Sequence, residues 1–173
     1  MNDYLAAILF FLPAGVANMT PVIINKIPGL NRWQAPMDFG LKWHDKRIFG
    51  ANKRWRGLIF GTLAAGVTAK LVAIVAPNAV VSKHTFLLGC LLGFGALLGD
   101  AVESFFKRWN GIPPGHSLLV FDQTDYIIGA LVLTYPFVRL PFWAIVTIFF
   151  VYFGLHLITV YLAYLAGIRH KPI

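Results

Sequence analysis

Four of the chain's seven carboxylates fall in one stretch, Gly99 to Asp125, which reads GDAVESFFKRWNGIPPGHSLLVFDQTD. Asp100 and Glu103 stand i, i+3 near the end of an apolar segment, and Asp122 and Asp125 repeat that spacing just before the next. If both flanks are helical, each pair points to one side, and the loop between them can bring the pairs together. Two unit charges ~5 Å apart at an effective dielectric of ~20 repel by roughly 3 kcal/mol, so a cation must sit among four such groups. Lys107 and Arg108 are candidates. So is a hard divalent ion, which prefers carboxylate oxygens and bridges them to a substrate phosphate. The bland alternative is four solvated loop charges, against which stands the cost of charge at membrane segment ends.

A second stretch, GANKRWRG from Gly50 to Gly57, directly precedes an apolar segment. Gly50 and Gly57 permit close backbone approach, and Lys53 and Arg56 lie i, i+3 beside a helix N-terminus whose free N–H groups favour an anion. These features describe a phosphate site. It is not a Walker A loop, which needs GxxxxGK followed by Ser or Thr. The alternative use of this basic loop is as a topology signal alone.

The elements that must position these groups are membrane helices. Of 173 residues 58% are hydrophobic and only 13% charged, far from the ~25% charged of an average soluble domain. The sequence predicts an all-α integral membrane protein, one domain over residues 1–173, with five spans at about 4–24, 58–76, 85–104, 125–138 and 142–167. Pro13 and Pro21 should kink or end the first. The third span is rich in small residues at Gly89, Gly93, Gly95 and Gly99, two small-xxx-small faces for packing within one chain or, as a homodimer, between two. The formal charge of +8 on a membrane protein fixes topology rather than implying a nucleic-acid partner. Basic residues concentrate in loops 25–57 and 105–124 and at the C-terminus. The N-terminus is therefore expected outside, the chain as a multi-pass protein of the cell membrane, and both polar stretches on its cytoplasmic face. Cys90, the single cysteine, is read as a small buried residue. His116, after the turn-forming Pro113, Pro114 and Gly115, is more readily a surface residue than a ligand or base.

One face offering a basic, glycine-flanked anion site and an acidic, metal-suited site fits transfer of a phosphoryl or nucleotidyl group from a soluble nucleotide to a lipid. The run from Ser104 to Asp125, SFFKRWNGIPPGHSLLVFDQTD, resembles the signature of membrane CDP-diacylglycerol synthases, where a Ser-x-x-Lys-Arg element leads through a Gly/Pro loop to an Asp-x-x-Asp pair. With GANKRWRG and GDAVESFFKR it looks closest to the short archaeal branch, the CDP-archaeol synthases, over essentially the whole length. The broader bacterial signature has Arg where this chain has Gln123 and Gly where it has Ser117, and Arg54 stands where a small hydroxyl residue is expected.

The resemblance implies attack by the phosphate of an unsaturated isoprenoid ether lipid on the α-phosphorus of CTP, with Mg²⁺ as cofactor and pyrophosphate as leaving group. On that scheme Asp122 and Asp125, with Asp100 and Glu103, hold the metal. Gly50, Asn52, Lys53, Arg56, Gly57, Ser104, Lys107 and Arg108 bind CTP and lipid phosphates. Asp122, Asp125 and Lys107 are the catalytic candidates, and the lipid enters between the glycine-faced helices. The competing expectations are a CTP-dependent polyprenol kinase and a membrane cation transporter. A transporter would place carboxylates near mid-span, where only Lys70 and His156 occur.

Overall fold

The structure, a computed structural model, describes residues 2–43, 46–77, 85–113, 121–165 and 167. His116 and Ser117, and the expectations placed on them, lie outside the described residues. Among the described residues five α-helices follow in order, α1 Asp3–Ile24, α2 Trp55–Val75, α3 Phe86–Trp109, α4 Phe121–Thr134 and α5 Phe142–Leu165. A small antiparallel hairpin pairs β1, Lys42–Trp43, with β2, Lys46–Arg47. Helices α1, α2, α3 and α5 are each long and apolar enough to cross a membrane. Helix α4 has 14 residues, or about 21 Å at 1.5 Å per residue, less than the ~30 Å hydrocarbon thickness.

Helix α1 continues through Pro13 and Pro21 to Ile24, so neither proline ends it. Pro21 supplies no N–H to the carbonyl of Ala17, one turn earlier. Small residues of α2 fill this region: a methyl added to Gly61 would lie 3.0 Å from the Ala17 oxygen, and one added to Gly57 would lie 3.2 Å from the Pro21 ring. The neighbouring helix therefore packs directly over the proline turn, the kind of support by which membrane helices tolerate an internal proline.

Helix α3 contacts α1, α2 and α4. Its glycines are taken up inside the chain: Gly89 and Gly93 face Ala69 and Ala65 of α2, while Gly95 and Gly99 face Gly129 and the Asp125 carbonyl of α4. The main core joins Phe10 and Phe11 of α1, Leu92 of α3, Ile127 of α4 and Ile148 of α5, all fully buried. Tyr126 and Tyr152 cross this core with their hydroxyls donating to the carbonyls of Tyr152 at 3.0 Å and Ile8 at 2.7 Å, which satisfies two polar groups that burial would otherwise penalise.

Two helix boundaries differ from the hydropathy reading and matter for the site. Helix α3 continues past Ser104 to Trp109, with Lys107 and Arg108 in its last turn, where cations favour the C-terminal dipole. Gly111 at φ +76° then ends it, and the Ile112 N–H closes on the Lys107 carbonyl at 2.9 Å, a glycine C-cap. Helix α4 already includes Phe121, ahead of the apolar run, so that both Asp122 and Asp125 are helical.

Candidate active site

Where α3 meets α4 the backbones nearly touch. A methyl added to Gly99 would lie 2.2 Å from the Asp125 carbonyl oxygen, and one added to Gly129 would lie 2.7 Å from the Gly99 Cα. This approach sets the two carboxylate pairs against each other. Ligand atoms from Asp100, Glu103 and Asp125 all lie within 4.8 Å of one another. Such a trio of hard oxygen donors fits a divalent ion such as Mg²⁺. Asp122, also expected among the metal ligands, lies outside this trio and accepts from Lys107 Nζ at 2.5 Å, and the same ammonium lies 2.7 Å from Glu103 Oε1. Lys107 is itself buried, one turn beyond Glu103 on α3, so the extension of that helix decides where its charge goes.

The GANKRWRG loop reaches the same place from the other side. Lys53 forms an ion pair with Asp100. Gly50, at φ +81°, lets the loop lie against Arg108, whose Cδ would be 3.7 Å from an added methyl. Arg108 Nε and Nη1 are enclosed there without a hydrogen-bond partner among the described residues, and a buried guanidinium left in that state favours an anion.

Behind the loop, Asp38 is the organiser. Its Oδ1 accepts from Arg47 Nη2 at 2.6 Å and from the Gly40 N–H at 3.1 Å, and its Oδ2 from the Phe49 N–H at 3.3 Å. Burial alone would push this carboxyl's pKa up, but the Arg47 and backbone bonds outweigh it and hold it below its ordinary value. Trp43 of the hairpin stacks on Trp109, ring centroids 6.2 Å apart, which anchors the loop to the end of α3.

A largely apolar groove of about 700 Å³ runs between α3 and α4 down to this cluster. Leu98, Val102, Phe106, Ile128 and Val132 line its walls, and Glu103, Lys107 and Asp125 stand at its polar end. A lipid chain fits the walls and a phosphate the end.

The full length, residues 1–173, matches the model of the CarS-like CDP-archaeol synthase family. The chain belongs to that family. It is 36% identical over 174 residues to the CDP-archaeol synthase of Thermococcus onnurineus, covering 99% of this chain and 98% of that one. It is also 36% identical over 142 residues to the enzyme of the same name from Pyrococcus furiosus, covering 82% and 81%. A solved structure described as an intramembrane enzyme for archaeal membrane lipids biosynthesis superposes with a TM-score of 0.76 at 30% identity, over 88% of this chain and 91% of that one.

Within this family member the expected site residues divide. Asp100, Glu103, Asp122, Asp125, Lys53 and Lys107 come together, with Gly50 and Arg108 beside them. Gly99 and Gly57 act as contact points between helices, and Ser104 sits on α3 next to Glu103. Arg56 and Asn52 do not join the cluster. Arg56 is 3% exposed, its Nη1 donating to the Asn31 carbonyl at 2.5 Å and its Nη2 to Asn25 Oδ1 at 2.5 Å. It ties the start of α2 to the end of α1. Sequence reasoning missed the groove walls, although Leu98, Val102, Phe106 and Gly95, Gly99 recur at helical spacing.

Proposed function

We propose that this chain transfers the cytidylyl group of CTP to the phosphate of a 2,3-bis-O-geranylgeranylglycerol phosphate-type ether lipid, yielding a CDP-activated lipid and pyrophosphate. The observation that carries the reading is the apolar groove ending on a cluster of three carboxylates and a buried lysine. Family membership supplies the reaction class. The lipid phosphate oxygen forms a bond to the α-phosphorus of CTP while the bond from that phosphorus to the bridging oxygen of the β-phosphate breaks. The attacking oxygen is already ionised at neutral pH, so no general base is required.

Asp100, Glu103 and Asp125 would hold Mg²⁺, which when bound neutralises phosphate oxygens. The chain's own cations do the rest. Lys107, fixed between Glu103 and Asp122, faces the groove's polar end and is placed to take up charge developing at phosphorus. Arg108 offers its unpartnered donors to the triphosphate, and Lys53, held by Asp100, stands at the loop side of the same space. Leu98, Val102 and Phe106 orient the lipid chains and exclude water.

On this reading the protein is a single membrane domain of five spans, α4 being the short fourth, with its N-terminus outside and the site at the cytoplasmic face. The glycine faces serve packing within the chain, and no surface is assigned to a homodimer.

The test uses purified protein with Mg²⁺, the unsaturated ether lipid phosphate, and CTP labelled separately on cytosine and on the γ-phosphate. Cytidine label in lipid with γ-label in pyrophosphate is expected, and Asp122→Asn and Asp125→Asn should each abolish it with folding intact. Transfer of γ-label to a free polyprenol would mark a kinase and overturn the proposal, as would an unaffected pair of variants.

A further inference from the structure

The antiparallel hairpin that carries Trp43 has two unlike faces. Lys42 pairs with Arg47, so Leu41 stands opposite Ile48, whose N–H donates to the Leu41 carbonyl at 3.3 Å. Residues directly opposite share a face, and successive residues alternate. One face therefore carries Leu41, Trp43 and Ile48, and the other Lys42 and Arg47, the latter paired with Asp38. Phe39 precedes the hairpin in the turn that Asp38 closes through the Gly40 N–H. Its φ of +52° is a left-handed backbone that a bulky residue rarely adopts, yet it is 78% exposed, with Leu41 at 61% and Trp43 at 57%. Three large apolar side chains exposed along residues 39–43 mark an interaction surface.

Two ring contacts fix the level at which this surface lies. Phe39 packs on Trp55, the first residue of α2, with centroids 5.5 Å apart, and Trp43 stacks on Trp109, the last residue of α3. Both helices are long and apolar enough to cross a membrane, so their ends lie at the level of the head groups, where Trp is enriched. Trp109 also forms a column on α3 with Val102 and Phe106, all exposed and spaced i, i+4, i+7. That column is the exposed side of a membrane-length helix, and Trp43 extends it past the helix end. Charge selects the occupant. Residues 25–57 carry eight lysines and arginines against two aspartates, and Lys42 is exposed on the hairpin's other face. A second copy docked on the same face would set like charge against like charge. A lipid surface takes aromatic rings at the head-group boundary and cations just outside it.

We propose that Phe39, Leu41 and Trp43 insert into the bilayer interface beside the ends of α2 and α3, making the hairpin a membrane-dipping anchor. The anchor bears on the site through the backbone: the Met37 N–H donates to the Lys53 carbonyl at 3.1 Å, and Lys53 pairs with Asp100. The lipid surface thereby helps to hold the basic loop over the carboxylates. The anchor is independent of the reaction catalysed and of which side of the membrane holds the site.

The experiment places a nitroxide label at Leu41→Cys, at Lys42→Cys and, as a reference, at Leu63→Cys, near the middle of α2. Each is made in the full chain carrying Cys90→Ala, in nanodiscs of phosphatidylcholine with phosphatidylglycerol. Electron paramagnetic resonance reads collisions of the label with oxygen, which partitions into the bilayer, and with a water-soluble nickel chelate. The oxygen-to-nickel ratio at Leu41 is expected to exceed that at Lys42 by about threefold or more, because neighbouring residues of a ribbon face opposite sides, and to fall below that at Leu63. Equal ratios at Leu41 and Lys42 overturn the proposal. So does loss of collisions with both reagents at Leu41, and dipolar broadening between labels would then identify a second copy as the occupant. Trp43→Phe keeps a ring on Trp109 and guards against a label that disturbs the hairpin. The fluorescence it removes from wild type should be quenched by lipids brominated high on the acyl chain and spared by aqueous iodide. The reverse pattern also overturns the proposal.

Discussion

Gly99→Ala tests the claim that backbone contact between α3 and α4 sets the active geometry. The added methyl would sit 2.2 Å from the Asp125 carbonyl oxygen, whereas ordinary contact begins at 3.4 Å. The helices must therefore part by about 1.2 Å, since the atom struck is backbone and cannot rotate away. Asp125 moves with its carbonyl, while Asp100 and Glu103 remain on α3, so the trio of carboxylates opens by a similar distance. A misplacement of ~1 Å at a reacting centre lowers rates by about 100-fold, and overpacking of this kind costs about 1–3 kcal/mol. The assay is incorporation of cytosine-labelled CTP into the ether lipid across a range of Mg²⁺ concentrations, with thermal unfolding in detergent alongside. Expected are a fall of about 100-fold in kcat/KM, a raised Mg²⁺ requirement and a modest drop in Tm. Gly154→Ala is the control, because an added methyl there meets nothing within 4 Å. If Gly99→Ala retains activity within twofold of wild type, the reasoning that places the site at this crossing is wrong.

Lys107→Met leaves Glu103 and Asp122 facing each other without their shared cation, and breaking a buried pair from one side costs roughly 3–5 kcal/mol. The variant should unfold at lower temperature than Lys107→Arg and lose transfer. Val102→Trp fills the groove wall, so the KM for the lipid should rise while that for CTP stays unchanged, a split readable by varying each substrate separately. Asp38→Asn keeps the carboxyl's shape but loses the charge-assisted bond to Arg47, and a cost of about 1–3 kcal/mol is expected from the unmade bonds. The same residue sets an acid limit. Its folded pKa lies below the ordinary 3.8, so its stabilisation is present above that value and is lost as pH falls through the lower folded one. Wild type should lose stability in that acid range more steeply than Asp38→Asn, as unfolding followed against pH would show.

The charged residues that the fold brings together were legible in the chain as types and spacings. Paired carboxylates at i, i+3, a Lys-Arg step after Ser104 and a glycine-bounded basic loop all point to phosphate chemistry at a membrane, because charge is too costly there to be incidental. Apolar runs located the long helices for the same reason. Their ends were less legible: hydropathy reports burial, whereas helix continuation past Ser104 to Trp109 depends on hydrogen bonding and on cations at the C-terminal dipole. The partners were hidden too. That Lys107 holds Glu103 and Asp122, while Asp100, Glu103 and Asp125 form a cluster that could hold a metal, follows from how closely α4 meets α3. The separation of Lys53 from Arg54 and Arg56 follows from pairing of segment 53–55 with 35–37, a contact that no local pattern encodes. Composition and spacing thus determined the solvent the chain lives in and the chemistry it carries, since both depend on residue type. Tertiary structure alone decided which charges neutralise one another and which are left for a ligand, since that depends on distances between segments far apart in the chain.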